Sequence, residues 1–218
     1  MSAIVFDVET TGLPQGWNIP TRHTHKWPYI VQISWMVFDL GENKIVTVND
    51  HIIRLPAGLD VPPDSSDIHG ITTEKMREEG QDIRAILVSF REDMRKAKYI
   101  VAHNLKFDKS MVEVEFLRHG FSEGIGRQRK VEFCTMLYGE KLCGLTMVTR
   151  TGKVVSKYPR LSELHKHLFG TTPSGLHNSL VDILVCFRCF YSLLYGEDVT
   201  RTNHAFATMF KPFISSSI

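Results

Sequence analysis

Ala3-Ile4-Val5-Phe6-Asp7-Val8-Glu9 is the stretch on which the reading of this chain turns. β-Branched and aromatic residues fill it and Thr10-Thr11-Gly12 punctuates its end, so it predicts a β-strand. Strand side chains alternate faces, which puts Ile4, Phe6 and Val8 on one side and Asp7 and Glu9 on the other. Two carboxylates on one face of an apolar strand repel by on the order of a few kcal/mol in a partly buried site. Either a cation compensates them, or the strand end is exposed and the pair is solvated.

Working outward, residues 29–39 and 44–54 predict two more strands around the turn Gly41-Glu42-Asn43, completing an antiparallel meander. Residues 14–28, broken by Pro14, Gly16, Pro20 and Pro28, are irregular. Ile83, Ile86, Leu87, Phe90 and Met94 recur at helical spacing within 82–98. Tyr99 to Ala102 predicts a short strand, 108–119 a helix, and 131–138 a strand running into a helix. A short helix over 161–168 ends at Gly170, and Asn178 caps a final long helix reaching about Tyr195. Three strands followed by alternating helices and strands make an α/β chain, a mixed sheet flanked by helices.

A chain of 218 residues suits one sizeable domain. With 43% hydrophobic and 23% charged residues it carries enough apolar material for a core, which excludes disorder as its main state. The net charge of +2 excludes a general basic coat, so any affinity for nucleic acid rests on a local patch. The N-terminus does not read as a secretory signal, and the apolar run from Leu180 to Tyr195 is broken by Asp182 and Arg188. That run is expected as a buried helix rather than a membrane span. Cys134, Cys143, Cys186 and Cys189 read as reduced thiols of a soluble intracellular protein, with no second close pair for a structural zinc.

Two more acids stand out. Asp108 opens a predicted helix, where an ordinary N-cap is the favoured reading of that residue taken alone. Asp182 sits in Leu180-Val181-Asp182-Ile183-Leu184-Val185, where an unpaired ionised carboxylate costs roughly several kcal/mol. Positions 178, 179, 185 and 186, one turn away, hold no Lys or Arg. A partner from elsewhere or an exposed helix edge are the alternatives. His177 precedes that helix, near enough to approach a water beside Asp182. Four carboxylates without basic partners suit two divalent cations, Mg²⁺ or Mn²⁺, about 3.5–4 Å apart, an arrangement that serves in-line phosphoryl displacement.

Phe6-Asp7-Val8-Glu9-Thr10-Thr11-Gly12-Leu13 resembles the first motif of the DEDDh 3′→5′ exonuclease family, which includes the proofreading subunit of bacterial replicative polymerase, ribonuclease T and TREX-type exonucleases. His103-Asn104-Leu105-Lys106-Phe107-Asp108 resembles the second motif and His177-Asn178-Ser179-Leu180-Val181-Asp182 the third. Ile68-His69-Gly70-Ile71-Thr72 resembles a segment between the first two. The ordered set, spanning residues 3–195, is specific where each motif alone is weak. The resemblance implies a ribonuclease-H-like fold and release of nucleoside 5′-monophosphates from a 3′ end. It implies Asp7, Glu9, Asp108 and Asp182 as ligands of the two ions, Asp7 bridging them, and His177 as general base. It also implies a terminal-nucleotide pocket of Thr10, Thr11, Leu13, His69, Asn104 and Phe107, with Leu13 under the base.

Single-stranded DNA is the expected substrate, with RNA open. A non-catalytic nucleic-acid-binding or polymerase-accessory module of the same fold is the alternative. Residues 1–198 are expected as the exonuclease domain and 199–218 as a tail. Phe206, Phe210 and Phe213 fit either packing back on the domain or docking on a polymerase or homodimer partner. Two segments depart from the family pattern. The loop 14–28 carries Trp17, His23, His25 and Trp27, for which a solvated loop, a metal site and base stacking stand as readings. Segment 141–160 holds five Lys or Arg and no acid. Its Arg150, Lys153, Lys157 and Arg160, and separately Arg127, Arg129 and Lys130, are candidates to follow a phosphate backbone, against the reading of a solvated hairpin.

Overall fold

Strand β1 (Ser2–Thr10) pairs antiparallel with β2 (Ile30–Asp39), which pairs antiparallel with β3 (Lys44–Ile52). The structure, a computed structural model, describes residues 1–16, 18–121 and 130–214; Trp17, Arg127 and Arg129 lie outside them. Helices α1 (Pro63–His69), α2 (Thr73–Glu79) and α3 (Ile83–Lys96) lead to strand β4 (Tyr99–Ala102). Helix α4 (Leu105–Arg118), strand β5 (Val131–Cys134) and helix α5 (Thr135–Cys143) come next. A hairpin of β6 (Thr146–Val148) and β7 (Val154–Ser156), then α6 (Leu161–Phe169), α7 (Ser179–Tyr195), α8 (Val199–Thr202) and α9 (His204–Phe210), complete the order.

β4 and β5 add in parallel on the free side of β1, giving the five-stranded order β3-β2-β1-β4-β5. This is the mixed sheet flanked by helices that the sequence predicts. The alternation in β1 decides how the helices sit. Ile4, Phe6 and Val8 join the core made by α3 and α4, with Phe90, Met94, Met111 and Phe116. Ala3 and Val5 join the opposite core, under α7, with Ile183, Phe187 and Phe190. Each fully buried large apolar side chain of this kind contributes about 1.5–3 kcal/mol. Asp7 and Glu9 continue the α7 face of the strand. On its β1 edge β4 pairs only with Ala3, Ile4 and Val5, so β1 runs on past its neighbour and opens a crevice at its C-terminal end. The β1–β2 register shifts between Glu9 and Thr10, so the chain leaves regular pairing just beyond the second carboxylate.

Several local expectations change. α4 starts at Leu105, because Asn104 adopts a left-handed conformation (φ 73°) and turns the chain early. Asp108 therefore lies inside the first turn, 3% exposed, and is no N-cap. α1 and α2 were not foreseen; Thr72 caps α2 by accepting from the Lys75 amide. Trp27 packs partly against the α3–α4 core. Lys130 donates to the carbonyls of Arg95, in the last turn of α3, and Ala97, just after it, so its charge serves a helix C-terminus instead of a phosphate. Phe206 and Phe210 are fully buried in the α7-side core, and Phe213 packs partly against it. No helix among the described residues is long and apolar enough to cross a membrane.

Candidate active site

The end of β1 delivers two carboxylates and α7 brings a third to meet them. One oxygen each of Asp7, Glu9 and Asp182 lie within 4.8 Å of one another. Asp108 enters from α4, and its charge is among those that raise the proton affinity of Asp7. Among the described residues no Lys, Arg or His side chain forms an ion pair with any of the four. Burial foremost, then the neighbouring acids, lift Asp7 well above its ordinary 3.8. Burial and Asp182 push Glu9 up to about 8. Burial lifts Asp182 to about 7 against the pull of main-chain hydrogen bonds at His177 and Asn178. Asp108 is raised chiefly by burial, opposed by a hydrogen bond from the main chain at Val8. Four acids held this way stay protonated in part near neutrality, or take up positive charge.

α7 is held at its first turn by a buried polar network that the sequence did not reveal. Ser179 Oγ lies 2.5 Å from Ser34 Oγ, which donates to Asp50 Oδ1 at 2.7 Å. Gln32 Nε2 donates to the same Asp50 oxygen at 2.8 Å while its Oε1 accepts from the Ser179 amide at 3.3 Å. Asn178 caps the helix through the Leu180 amide, as predicted. The network ties the helix bearing Asp182 to β2 and β3, beside the strand bearing Asp7 and Glu9. No local pattern could signal it, because the paired serines are 145 residues apart.

His177 is exposed, with a left-handed backbone (φ 67°). Its main-chain amide donates to Asp182 Oδ2 at 2.9 Å, and its imidazole makes no hydrogen bond or ion pair among the described residues. The structure thus brings the His177 backbone, not its ring, to the acids. The preceding loop is held at both ends. His165 Nε2 accepts from Arg188 Nη1 at 2.9 Å, so the proton sits on Nδ1, which donates to Thr171 O at 2.8 Å. Burial, ahead of the Arg188 charge, pushes His165 down to about 4, so the ring is neutral. At the other end Ser174 N donates to Phe213 O at 2.9 Å, Pro173 bridges Ile214, and the Phe213 ring lies against Gly175.

The residues around the crevice divide by what their side chains already do. Thr10 Oγ1 donates to Gly12 O at 2.7 Å, and Thr11 Oγ1 accepts from the Tyr29 amide at 3.0 Å. Leu13 is 81% exposed, a large apolar side chain with nothing to cover it. Phe107 is half-buried against the α3–α4 core. The Asn104 side chain is exposed and makes no hydrogen bond among the described residues. His69 Nδ1 accepts from the Ile71 amide at 3.1 Å, which leaves the proton on Nε2. That Nε2 is buried near the main chain of Thr10 yet closes no hydrogen bond of normal geometry. A buried donor without an acceptor is a cost that a bound group can remove. His103 is structural: its Nε2 donates to Pro159 O at 3.0 Å, and its Nδ1 accepts from Thr135 Oγ1 at 2.9 Å. His23 and His25 flank a short turn with ring centroids 6.2 Å apart.

Residues 4–190 match the family described as Exonuclease, of the ribonuclease T type. The chain belongs to this exonuclease family. A relative of this chain is the PolC-type DNA polymerase III of Streptococcus sanguinis, 27% identical over 161 residues, which cover 73% of this chain and 10% of that protein. Escherichia coli exonuclease I, solved with a dT13 oligonucleotide, superposes with a TM-score of 0.64 at 16% identity, covering 94% of this chain and 43% of that one. A moderately thermophilic exonuclease I from Methylocaldum szegediense gives 0.65 at 17% identity, covering 95% and 44%. These likenesses concern the fold, which is ribonuclease-H-like. This exonuclease chain spans less than half the length of each of those relatives.

Proposed function

We propose that this chain is a 3′→5′ exonuclease domain that hydrolyses the terminal phosphodiester of a nucleic-acid strand and releases nucleoside 5′-monophosphates. The observation that carries the reading is the cluster of Asp7, Glu9, Asp108 and Asp182, which meets no basic side chain among the described residues. Oxygen-only donors with raised proton affinity fit two hard divalent cations, Mg²⁺ or Mn²⁺. Asp7, Glu9, Asp108 and Asp182 would hold them. When bound, the ions supply Lewis-acid stabilisation of the charge that builds on the phosphate.

The chain's own side chains do the rest. His177 takes a proton from the attacking water as its exposed imidazole turns inward; the left-handed backbone there and at Gly175 marks where the loop pivots. Leu13 and Phe107 present apolar faces to the terminal base and sugar, with Thr10 and Thr11 shaping the main chain beneath them. His69 Nε2–H and the Asn104 amide offer donors to the terminal nucleotide. None of these groups reads a base edge, so the pocket accepts any terminal base. Single-stranded DNA is the substrate we favour. The dT13 and dA16 oligonucleotides bound by exonuclease I support that choice by fold likeness. A homologous segment in a PolC-type polymerase supports a proofreading or repair setting.

The test is digestion of 5′-labelled single-stranded DNA and matched RNA with Mg²⁺ or Mn²⁺. A descending ladder from the 3′ end, abolished by Asp7→Ala and strongly slowed by His177→Ala, is expected. A ladder unchanged by Asp7→Ala rejects the assignment.

A further inference from the structure

The β6–β7 hairpin stands apart from the five-stranded sheet and pairs only with itself. A two-stranded ribbon alone in water is marginal, so this one draws its order from its stem. Ser156 Oγ donates to Glu140 Oε1 at 2.8 Å, and Lys157 Nζ pairs with Glu163 at 2.6 Å. Pro159 O accepts from His103 Nε2, and Pro159 also abuts Gly139. His103 begins the segment that carries Asn104, Phe107 and Asp108. The stem is therefore bolted to the rim of the acid crevice.

Beyond the stem the character changes. Glu163 of α6 neutralises Lys157 in the stem, whereas Arg150 and Lys153 at the turn are exposed and form no ion pair among the described residues. Val148 and Val154 beside them are 66% and 62% exposed, and Tyr158 at the stem is 50% exposed. Segment 141–160 contains no acid, in a chain whose net charge is only +2. This is a local concentration of positive charge on a protruding ribbon, without the intramolecular partner that a structural role supplies.

We propose that the hairpin tip grips the phosphate backbone of the strand being degraded, upstream of the 3′ terminus, through Arg150 and Lys153. This rests on the exonuclease reading above. Charge complementarity selects the occupant: a polyanion satisfies both cations, and the only polyanion that reading brings to this rim is the substrate strand. Tyr158 offers a ring face to a base along the way. The five residue-to-residue steps from Leu145 to Arg150 extend about 17 Å at roughly 3.3 Å per step. That matches about five nucleotides at the roughly 3.4 Å per phosphate of one duplex strand. The hairpin thus acts on strands long enough to reach it and is irrelevant to shorter ones.

The experiment compares wild type, Arg150→Ala/Lys153→Ala and the charge-keeping Arg150→Lys/Lys153→Arg. Binding of fluorescent dT16 and dT3 is followed by anisotropy across a salt series in Ca²⁺, and degradation of both strands in Mg²⁺. The alanine pair is expected to weaken dT16 binding about 5–20-fold and reduce the salt slope by about 1.4, two single-strand phosphate contacts at roughly 0.7 each. Its dT3 degradation stays at the wild-type rate, and the charge-keeping pair behaves as wild type. Equal dT16 affinity and salt slope in the alanine pair overturn the proposal and leave the ribbon as a surface for a protein partner. An equal loss on dT3 and dT16 also overturns it, since that is the mark of damage to the crevice. Failure of wild type to degrade either strand, with the binding difference intact, rejects the exonuclease reading and leaves the grip standing.

Discussion

Two groups of buried and half-buried acids in this molecule are treated in opposite ways. Asp198 accepts two hydrogen bonds from Arg188, at 3.0 and 2.6 Å, and Arg188 also lies over the Phe169 ring. Glu115, 1% exposed, accepts from Arg118 at 2.5 Å, while Arg118 also ties down the carbonyls of Thr24, Trp27 and Pro28. These acids are paired, and each pair fastens a piece of chain: α8 in one case, the end of loop 14–28 in the other. The acids at the end of β1 have no such arginine among the described residues. A fold able to place arginines beside buried carboxylates twice has not done so where four converge. That contrast, rather than the number of acids, separates structural charge from a site built to receive a cation.

The comparison breaks most directly by substitution on each side. Asp7→Ala is expected to cost at least about 10³-fold in kcat/KM on labelled DNA, roughly 4 kcal/mol of transition-state stabilisation, while the metal-free protein melts no lower than wild type. Arg188→Met should do the reverse. Leaving Asp198 buried and unpaired is expected to cost about 3–5 kcal/mol in urea unfolding, with the kcat of the surviving folded fraction changed far less than by Asp7→Ala. Were Asp7→Ala to unfold the protein and Arg188→Met to leave it intact, the two groups would have been assigned the wrong way round.

The acids also give stability a pH dependence of definite sign. Glu9 at about 8 and Asp182 at about 7 lie above their ordinary values of 4.5 and 3.8, so the folded state holds protons that the unfolded state has released. Stability of the metal-free protein therefore falls as pH rises towards 8. His103 and His165, both pushed down to about 4, act in the other direction, but only below the ordinary 6.5 of an unfolded histidine. Between pH 6.5 and 8 the acids act without that opposition. The unfolding free energy from urea titration is expected to fall across that window, by up to about 1.4 kcal/mol per pH unit for each proton released, and Mn²⁺ should abolish the fall. A smaller effect is expected at the loop of His177. Phe213→Ala removes the ring that lies against Gly175 and should lower kcat about 10-fold, with KM unchanged and recovery in Phe213→Leu, read by single-turnover kinetics.

How far the sequence reaches follows the same division. The alternation in Ala3 to Glu9 fixes which face carries the carboxylates, and the structure puts α7 over that face because Ala3 and Val5 need burial there. The three-strand start, the helix 83–96 and the Asn178 cap were legible because each rests on a local period or a local hydrogen bond. α1 and α2 were not, since seven residues each are too few to show a periodicity. The start of α4 was misplaced because the left-handed turn at Asn104 has no apolar signature. At the site, the sequence singles out Asp7, Glu9, Asp108 and Asp182, which the structure brings together, but not the Ser34–Asp50–Gln32–Ser179 network that seats α7. Nor could the sequence tell that the His177 amide, rather than its ring, meets Asp182.

Calorimetric titration of Mn²⁺ into wild type and Asp7→Asn at pH 7.5 tests the central claim most directly. The account predicts binding to wild type with release of protons and loss of at least one equivalent in the variant. Wild-type protein that takes up no Mn²⁺, or a variant that binds it identically, would contradict it.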